Sequence, residues 1–238
     1  MNIVSIGAHQ DDIEVQCLGT LLRYQQQGGH TFTNIVLSNG DKGAQYDPHM
    51  PYEEIARIRA GEAAAVAAGL GGRYLCLNQS DEYIRDTDEA RNWLIDAIRE
   101  AKADLVFTLP PIDYNTDHMV TSQIAFHATM LAAVKTIFTA HDTLPKTPSL
   151  YYMDSVAGLE WQPTHYVDIT SVWERKCELL RLHKSQMINS LTWGGLDLVK
   201  LAQIMGAFRG LQSGVEYAEG FKPALAFPRL HAGNVLPC

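Results

Sequence analysis

The stretch MNIVSIGAHQDDIE, residues 1–14, joins a short apolar run to a cluster of polar side chains. Residues 3–7 (IVSIG) are typical of a buried strand, because the run is apolar and too short for an ordinary helix. Over residues 13–27 the apolar positions recur at helical spacing, and a GG pair at 28–29 ends the pattern. The opening therefore predicts a strand that passes directly into a helix, with the polar cluster at the junction.

Apolar runs and amphipathic segments alternate along most of the chain. This alternation predicts an α/β fold, with a mainly parallel sheet, right-handed crossovers and helices on both faces. Further strands are predicted at 31–40, 74–77, 104–111, 150–153 and 165–169. Further helices are predicted at 53–68, 88–101, 119–138, 171–186 and 197–209. No repeat or linker interrupts the pattern, so we expect one domain over residues 1–238.

The net charge, the lengths of the apolar runs and the cysteine pattern indicate which kinds of ligand and cellular setting to expect. The chain has 27 acidic and 19 basic residues, a formal net charge of −8. Because an acidic chain repels phosphates and anionic lipid, we expect a neutral or cationic small molecule and no nucleic acid. The apolar runs are shorter than the ~20 residues that span a bilayer, and no export signal precedes the first strand. The four cysteines form no CxxC metal or redox motif. Because no export signal is seen, we expect reduced thiols and a cytoplasmic protein; a homo-oligomer stays open.

Three polar clusters follow predicted strands: AHQDDIE at 8–14, SNGDKG at 38–43 and PPIDYNTDH at 110–118. Ligands of open α/β sheets bind outside the carboxyl ends of the strands. Neighbouring strands therefore bring such clusters together, and we expect one functional site built from all three.

His9 and Asp12 are three residues apart at the first of these junctions. On a first helical turn, side chains at this spacing point the same way, and zinc accepts one imidazole and one carboxylate readily. Asp11 projects elsewhere and can stay near a metal without binding it. The alternative is a helix N-cap with acidic first-turn residues, which explains one aspartate and Glu14 but leaves His9 unexplained.

The third cluster supplies a second histidine. His118 follows a strand that prolines terminate, and it completes a His-Asp-His set with one position left for water. That is the open pattern of a catalytic zinc rather than the closed pattern of a structural one. Helix capping by Thr116 or Asp117 is the alternative interpretation.

These clusters resemble motifs of the LmbE/PIG-L zinc N-deacetylases. AHQDDIE is similar to the AH-P-DD-x-E signature, SNGDKG to T-x-G-x-x-G, and DYNTDH to D-x-H-x-D-H. Arg59 and Glu62 match an R-x-x-E-x-x-x-A-x-x-x-G helix, and Asp81 matches the aspartate of a later motif. Two further segments, ERKCELLRLHKSQ and VEYAEGF, also match, so the resemblance spans residues 3 to about 221.

The resemblance implies a Rossmann-like, LmbE-like fold and an enzyme that removes the N-acetyl group from an N-acetylglucosamine-type sugar or glycoside. It implies one Zn²⁺ per chain, held by His9, Asp12 and His118. Asp11 would be the general base that takes the proton of a water activated by zinc. The sugar-binding positions would be Arg59 and Asp81. Two alternatives stay open: an amidase on a larger sugar-linked amide of the thiol-sugar conjugate type, and a degenerate, non-catalytic Rossmann-like binding protein.

Two positions depart from the family pattern. Gln10 replaces the proline of the first motif, which we expect to loosen the turn. Asn115 replaces a histidine that pairs with the next aspartate, here Asp117, and helps to stabilise the oxyanion. Asn115 can donate an N–H but cannot carry a charge. We therefore predict Asp11, Asn115 and Asp117 as catalytic residues, with Glu14 either supporting a metal-binding histidine or capping the helix.

Overall fold

The computed structural model describes residues 1–158, 160–229 and 236. The strands are β1 (Asn2–Gly7), β2 (Thr31–Ser38), β3 (Arg73–Gln79), β4 (Leu105–Thr108), β5 (Ser149–Met153), β6 (His165–Asp168) and β7 (Ala218–Pro223). The helices are α1 (Asp12–Gln16), α2 (Leu18–Gln27), α3 (Tyr52–Gly69), α4 (Asp88–Glu100), α5 (Thr116–Leu131), α6 (Trp173–Leu180), α7 (Lys184–Gly194) and α8 (Leu198–Ser213). Short 3₁₀ turns lie at Val156–Gly158 and Thr170–Val172.

The strands form one sheet in the order β3-β2-β1-β4-β5-β7-β6. Strands β1 to β5 are parallel, and β7 is antiparallel to both of its neighbours. Ile6 of the central strand β1 lies opposite Ile35 on one side and Thr108 on the other. The chain winds outward from β1 to β3 and then returns to β4, so the strand order reverses between β1 and β4. The prediction of a mainly parallel Rossmann-like sheet is confirmed.

The helices pack in two groups. α4 packs against α5, whereas α1, α2 and α3 all contact α6. Right-handed crossovers that start on opposite sides of a strand-order reversal place their helices on opposite faces of the sheet. The central strands are therefore covered on both sides, and Val4, Ile6 and Val106 are fully buried. No helix within the described ranges is both long and apolar enough to cross a membrane.

The helix predicted at 13–27 is two helices that meet at Cys17. The backbone of Cys17, with φ −139° and ψ −14°, lies outside the helical region and breaks the axis. The carboxylate of Glu219 accepts hydrogen bonds from the N–H groups of Gly19 and Thr20, which begin the second helix. The apolar spacing runs through the break, so the sequence pattern did not reveal it.

Helix α5 ends at Leu131 rather than at residue 138. The guanidinium of Arg99 donates hydrogen bonds to the carbonyls of Ala132 at 3.0 Å, Val134 at 3.0 Å and Ile137 at 2.9 Å. These carbonyls would otherwise accept from backbone N–H groups further along a continuing helix. A buried arginine from α4 thus ends α5 and fixes the turn that follows it.

The helix predicted at 171–186 is also interrupted. It divides into α6 and α7, and His183 lies between them with φ −76° and ψ 60°. The imidazole of His183 is fully buried, and its Nε2 lies 3.7 Å from Oε1 of Glu14. Burial of this side chain against α1 accounts for the break, which apolar spacing alone does not predict.

Strand β7 was not predicted, because its sequence AEGFKP contains a glycine and a proline and lacks a clear alternation. It is a strand because its backbone pairs with β5 on one side and with β6 on the other. The carboxylate of Glu219 on β7 also forms an ion pair with Nζ of Lys176 at 2.7 Å, in addition to its hydrogen bonds from the N–H groups of α2. A Cβ at Gly19 would lie 2.9 Å from Oε1 of Glu219 and 2.7 Å from Cγ2 of Ile169, so this close approach requires glycine.

Replacement of Glu219 by alanine is expected to lower the free energy of unfolding by about 3–5 kcal/mol, because it leaves the buried Lys176 ammonium without its carboxylate. The matched control is Glu178→Ala, which removes a carboxylate paired at 2.8 Å with Arg175 on the surface. That change should cost about 0–1 kcal/mol. Urea denaturation of both variants measures the difference, and equal losses would contradict the assigned role of Glu219.

Candidate active site

The turn after β1 is shaped by the carboxylate of Asp12. Its Oδ2 accepts hydrogen bonds from the backbone N–H groups of Ala8 and His9, both at 2.8 Å. Asp11, the residue before α1, makes no capping hydrogen bond with its side chain. These two hydrogen bonds stabilise the turn between β1 and α1. The second oxygen of Asp12, Oδ1, lies 3.2 Å from Nε2 of His118. The predicted contact between the two strand ends is present.

The three predicted metal ligands lie together at the reversal of strand order between β1 and β4. Nδ1 of His9 is 3.2 Å from Nε2 of His118 and 3.7 Å from Oδ2 of Asp12. All three side chains are buried. Tetrahedral zinc with bonds of about 2.0–2.1 Å separates its ligand atoms by about 3.3–3.4 Å. The donor types and their spacing therefore fit a divalent metal.

The carboxylates around His9 and His118 favour a positive charge between these two side chains and Asp12. Burial lowers the pKa of His118, but the carboxylates of Asp12 and Asp113 outweigh burial and raise this pKa to about 9. For His9, burial likewise lowers the pKa, and Asp117 and Asp81 more than compensate, so the pKa lies well above its ordinary value. Buried carboxylates that stabilise two imidazolium ions would equally stabilise a metal cation.

His9 is also held from behind. Its Nε2 lies 3.0 Å from Oδ1 of Asp81 and 3.4 Å from Oδ2 of Asp117. The other oxygen of Asp117 accepts a hydrogen bond from the backbone N–H of Ile84 at 3.1 Å. These contacts direct Nδ1 of His9 toward Asp12 and His118, as a metal-binding histidine requires.

Arg59 and Asp81, the predicted sugar-binding pair, are both buried and paired with each other. Nη1 of Arg59 donates to Oδ2 of Asp81 at 3.1 Å, and Nη2 lies 3.5 Å from Oδ1 of Asp11. The guanidinium enters this position beside Gly40, which has φ +71° and where a Cβ would lie 2.7 Å from Nη1. The structure thus connects the predicted base to the predicted substrate-binding residues through one cation.

Asn115 is the N-cap of α5, a role that the sequence analysis gave to Thr116 or Asp117 as the alternative. Its Oδ1 accepts from the backbone N–H of Asp117 at 2.7 Å, and its Nδ2 donates to Oε1 of Glu82 at 3.2 Å. Glu82 has an oxygen within 4.8 Å of donor atoms of His9 and Asp81. The amide of Asn115 therefore lies at the edge of the candidate metal site, and both of its polar atoms are hydrogen-bonded.

Two other expectations are corrected. Gln10 is fully buried, and its Nε2 donates to the carbonyl of Ser38 at 2.9 Å, so a hydrogen bond to β2 holds the turn where proline is absent. Glu14 lies beside His183 rather than beside His9 or His118. It therefore does not support a metal-binding histidine.

Asp113 is a site residue to which sequence reasoning assigned no role. Its Oδ1 lies 3.0 Å from Nδ1 of His118, and its Oδ2 accepts from Oγ of Ser155 at 3.1 Å. Asp113 is the first residue of the DYNTDH motif, so the motif itself carried the signal. Ser155, beyond β5, carried no signal in the sequence.

A groove of about 590 Å³ lies between α3 and β3. Two of its lining residues are neighbours of site residues: Gln10 follows His9 in the sequence, and Oδ1 of Asp41 accepts a hydrogen bond from the backbone N–H of Asp81 at 3.0 Å. The lining residues include Gln10, Asn39, Asp41, Tyr52, Cys76 and Asn78. Pockets of about 300–1,000 Å³ accept small organic ligands.

The sequence of residues 4–129, just over half of the chain, matches the PIG-L family, described as GlcNAc-PI de-N-acetylase. The chain belongs to this family. The matched region contains all three strand-end clusters and every predicted site residue from His9 to His118. The resemblance inferred from short motifs is thereby confirmed.

Relatives within and around the PIG-L family have two kinds of activity in their names. The chain is 25% identical over 236 residues to the 4-oxalmesaconate hydratase of Pseudomonas putida, covering 94% of this chain and 89% of the relative. It is 24% identical over 237 residues to the diacetylchitobiose deacetylase of Thermococcus kodakarensis, covering 92% and 82%. The crystal structure of GalB, the 4-carboxy-2-hydroxymuconate hydratase of Pseudomonas putida KT2440, superposes with a TM-score of 0.83 at 22% identity, over 99% and 100% of the two chains.

Proposed function

We propose that this PIG-L family protein is a zinc-dependent hydrolase that removes the N-acetyl group from an N-acetylglucosamine-type amino sugar or glycoside. The position of Asp11 carries the proposal. Its carboxylate is 21% exposed, whereas the neighbouring donors of His9, Asp12 and His118 are buried. A general base must reach the attacking water, whereas metal ligands can be buried as long as one coordination position stays open to water. The turn after β1 gives adjacent residues these two different environments.

Zinc bound at these donors would lower the pKa of a water molecule to about 7 and polarise the amide carbonyl. The carboxylate of Asp11 removes the proton of the attacking water, and in its protonated form it delivers that proton to the leaving amine nitrogen. Nη2 of Arg59 lies close enough to Asp11 to keep the carboxylate in place. Asp81 and Asp117 orient the imidazole of His9 from the opposite side.

The groove between α3 and β3, which includes Gln10, supports a substrate of at least one sugar ring. Its volume of about 590 Å³ exceeds the space that an acetamido group alone requires. The side chains of Asn39, Asp41 and Asn78 offer hydrogen-bond donors and acceptors to hydroxyl groups, and Tyr52 offers a ring face. An amidase on a larger sugar-linked amide would use the same base and donors.

A second candidate is metal-dependent hydration of an unsaturated carboxylate. Two observations favour it: the match to a named hydratase over 94% of the chain, and the presence of Asn115 where the deacetylase motif has an imidazole. Addition of water to a carbon–carbon double bond has no amine leaving group, so it needs no acid for that nitrogen. Asp11 would act as the base in this reaction as well.

One experiment separates the two candidates. Purified protein is supplied with zinc and incubated with a panel of N-acetylated amino sugars, with released acetate measured. In parallel it is given 4-oxalmesaconate, with loss of the absorbance of the conjugated double bond measured. Acetate release from a sugar supports the first proposal. Hydration without acetate release would replace it with the second.

The Asn115 amide is proposed as a donor that does not titrate. An imidazole at this position would lose its proton at high pH and give an alkaline limb in the pH–rate profile, whereas an amide keeps its N–H. We expect Asn115→Ala to lower kcat/KM by about tenfold to a hundredfold, somewhat below the loss of a strong oxyanion donor. We expect Asn115→His to introduce an alkaline limb. Identical profiles for the parent and Asn115→Ala would make Asn115 a bystander, and His183 would be tested next.

We propose a cytoplasmic, single-domain protein whose partner is a small acetylated sugar and which binds no nucleic acid. Its net charge of −8 disfavours a polyanionic ligand. Copurification with nucleic acid after high-salt washing would contradict this proposal.

A further inference from the structure

His118 is the predicted metal ligand that comes from the second strand end, and one of its ring nitrogens faces away from the cluster. Nε2 lies 3.2 Å from Oδ1 of Asp12 and 3.2 Å from Nδ1 of His9. Nδ1 points in the opposite direction, to Oδ1 of Asp113 at 3.0 Å. Because a carboxylate only accepts hydrogen bonds, Nδ1 must carry the hydrogen, and the lone pair of a neutral His118 then resides on Nε2.

Asp113 is itself held by a partner from a distant part of the chain. Its side chain is fully buried, and its Oδ2 accepts from Oγ of Ser155 at 3.1 Å. Oγ of Ser155 also lies 3.2 Å from the carbonyl of Val156. The backbone N–H of Asn115 adds a third hydrogen bond to the carboxylate, to Oδ1 at 3.2 Å. A buried carboxylate with three such partners has a fixed orientation.

Ser155 is anchored in turn. Its backbone N–H donates to Oδ1 of Asp154 at 2.8 Å. Asp154 is buried and forms a two-point ion pair with Arg209 of α8, at 2.5 Å from Nε and 3.0 Å from Nη2. The loop after β5 is thus fixed to α8, and the hydroxyl of Ser155 is held at the position that Asp113 requires.

We propose that Asp113 and Ser155 are positioning residues that hold His118 in the tautomer and orientation needed to bind the metal, with Ser155 acting through Asp113. The proposal rests on the metal site of the proposed function. Neither residue is one of the three candidate metal ligands. Asp113 contacts His118 on the ring nitrogen that faces away from His9 and Asp12, and Ser155 contacts Asp113. Carboxylate partners of metal-binding histidines typically contribute tenfold to a hundredfold to metal affinity.

The chain offers a matched control on the same helix as His118. Ser122 of α5 is buried to 1% exposure, and its hydroxyl makes no hydrogen bond within the described part of the chain. Ser122→Ala and Ser155→Ala therefore remove the same group from equally buried positions. Only the second removes a hydrogen bond to Asp113.

The test measures zinc affinity by competition with a chromophoric chelator, together with the visible spectrum of the Co²⁺-loaded protein. We expect Asp113→Ala to weaken zinc binding by about tenfold to a hundredfold. Asp113→Asn should weaken it less, because an amide oxygen still accepts from Nδ1. Ser155→Ala should weaken it several-fold and change the Co²⁺ spectrum, whereas Ser122→Ala should leave both unchanged. Ser155→Ala keeps the test decisive if Asp113→Ala does not fold.

Two results would overturn the proposal. If Ser155→Ala binds zinc as tightly as Ser122→Ala and the parent, with an unchanged Co²⁺ spectrum, Ser155 does not act on His118. If the Asp113 variants lower only the melting temperature of the metal-free protein, their role is structural. A parent protein that binds no metal would overturn the proposed function and this inference together, so the two failures are distinguishable.

Discussion

Replacement of Asp11 by asparagine is expected to lower the rate of acetate release by about 10²–10⁴-fold, while one metal ion per chain is retained. The amide is nearly the same size as the carboxylate but cannot take the proton of the attacking water, and loss of a general base has this order of effect. The metal should stay because Asp11 lies outside the buried set of His9, Asp12 and His118. Steady-state kinetics and metal analysis of the same preparation measure both quantities.

The control for this variant is Asp142→Asn, which makes the same chemical change on an exposed loop far from the site. It should have the kinetics of the parent. If Asp11→Asn retained a rate within a few-fold of the parent, Asp11 would not be the base. Asp117, whose Oδ2 lies 3.4 Å from Nε2 of His9, would then be the next candidate.

A His9→Ala, His118→Ala double variant is expected to lose its bound metal completely, from one ion per chain to none. Each substitution removes one of three donors whose atoms lie within 4.8 Å of one another, and a single remaining carboxylate does not hold zinc against water. Elemental analysis after dialysis measures the stoichiometry. Activity should disappear with the metal.

The matched control is His127→Ala, which removes an imidazole from the same helix, α5, at a position outside the cluster. This variant should bind one metal ion per chain. Stoichiometric metal in the double variant would show that the ion lies elsewhere, and the assignment of all three ligands would be wrong.

Strands β1 to β5 and the helices between them were predictable because each carries its own apolar pattern. The departures arise where a distant side chain decides the local structure. Arg99 ends α5 because its guanidinium hydrogen-bonds carbonyls directly after the helix, and buried His183 lies at the break between α6 and α7. Strand β7 obtains its pairing from neighbours already in place. Local periodicity does not contain this information, because each cause lies in another part of the sequence.

The same distinction applies to the candidate site. His9, Asp11 and Asp12 stand in one motif, and Asp117 and His118 in another, so their chemistry was visible in short stretches of sequence. The residues that hold these side chains in place could not be predicted from such stretches. Ser155 reaches Asp113 from 42 residues away, and the partner of Gln10 is a backbone carbonyl on β2. Such contacts depend on the three-dimensional path of the chain.

Of the strands in the described part of the chain, β7 is the last in sequence, yet it lies between β5 and β6. On the ribosome, β6 emerges with no strand beside it until residues 218–223 follow, a delay on the order of seconds at about 5–20 residues per second. Residues 2–155, which contain all three strand-end clusters and Ser155, leave the exit tunnel before that. The strands that carry the candidate metal ligands therefore emerge while the β5 edge of the sheet is still unpaired, and this edge closes only when β7 arrives.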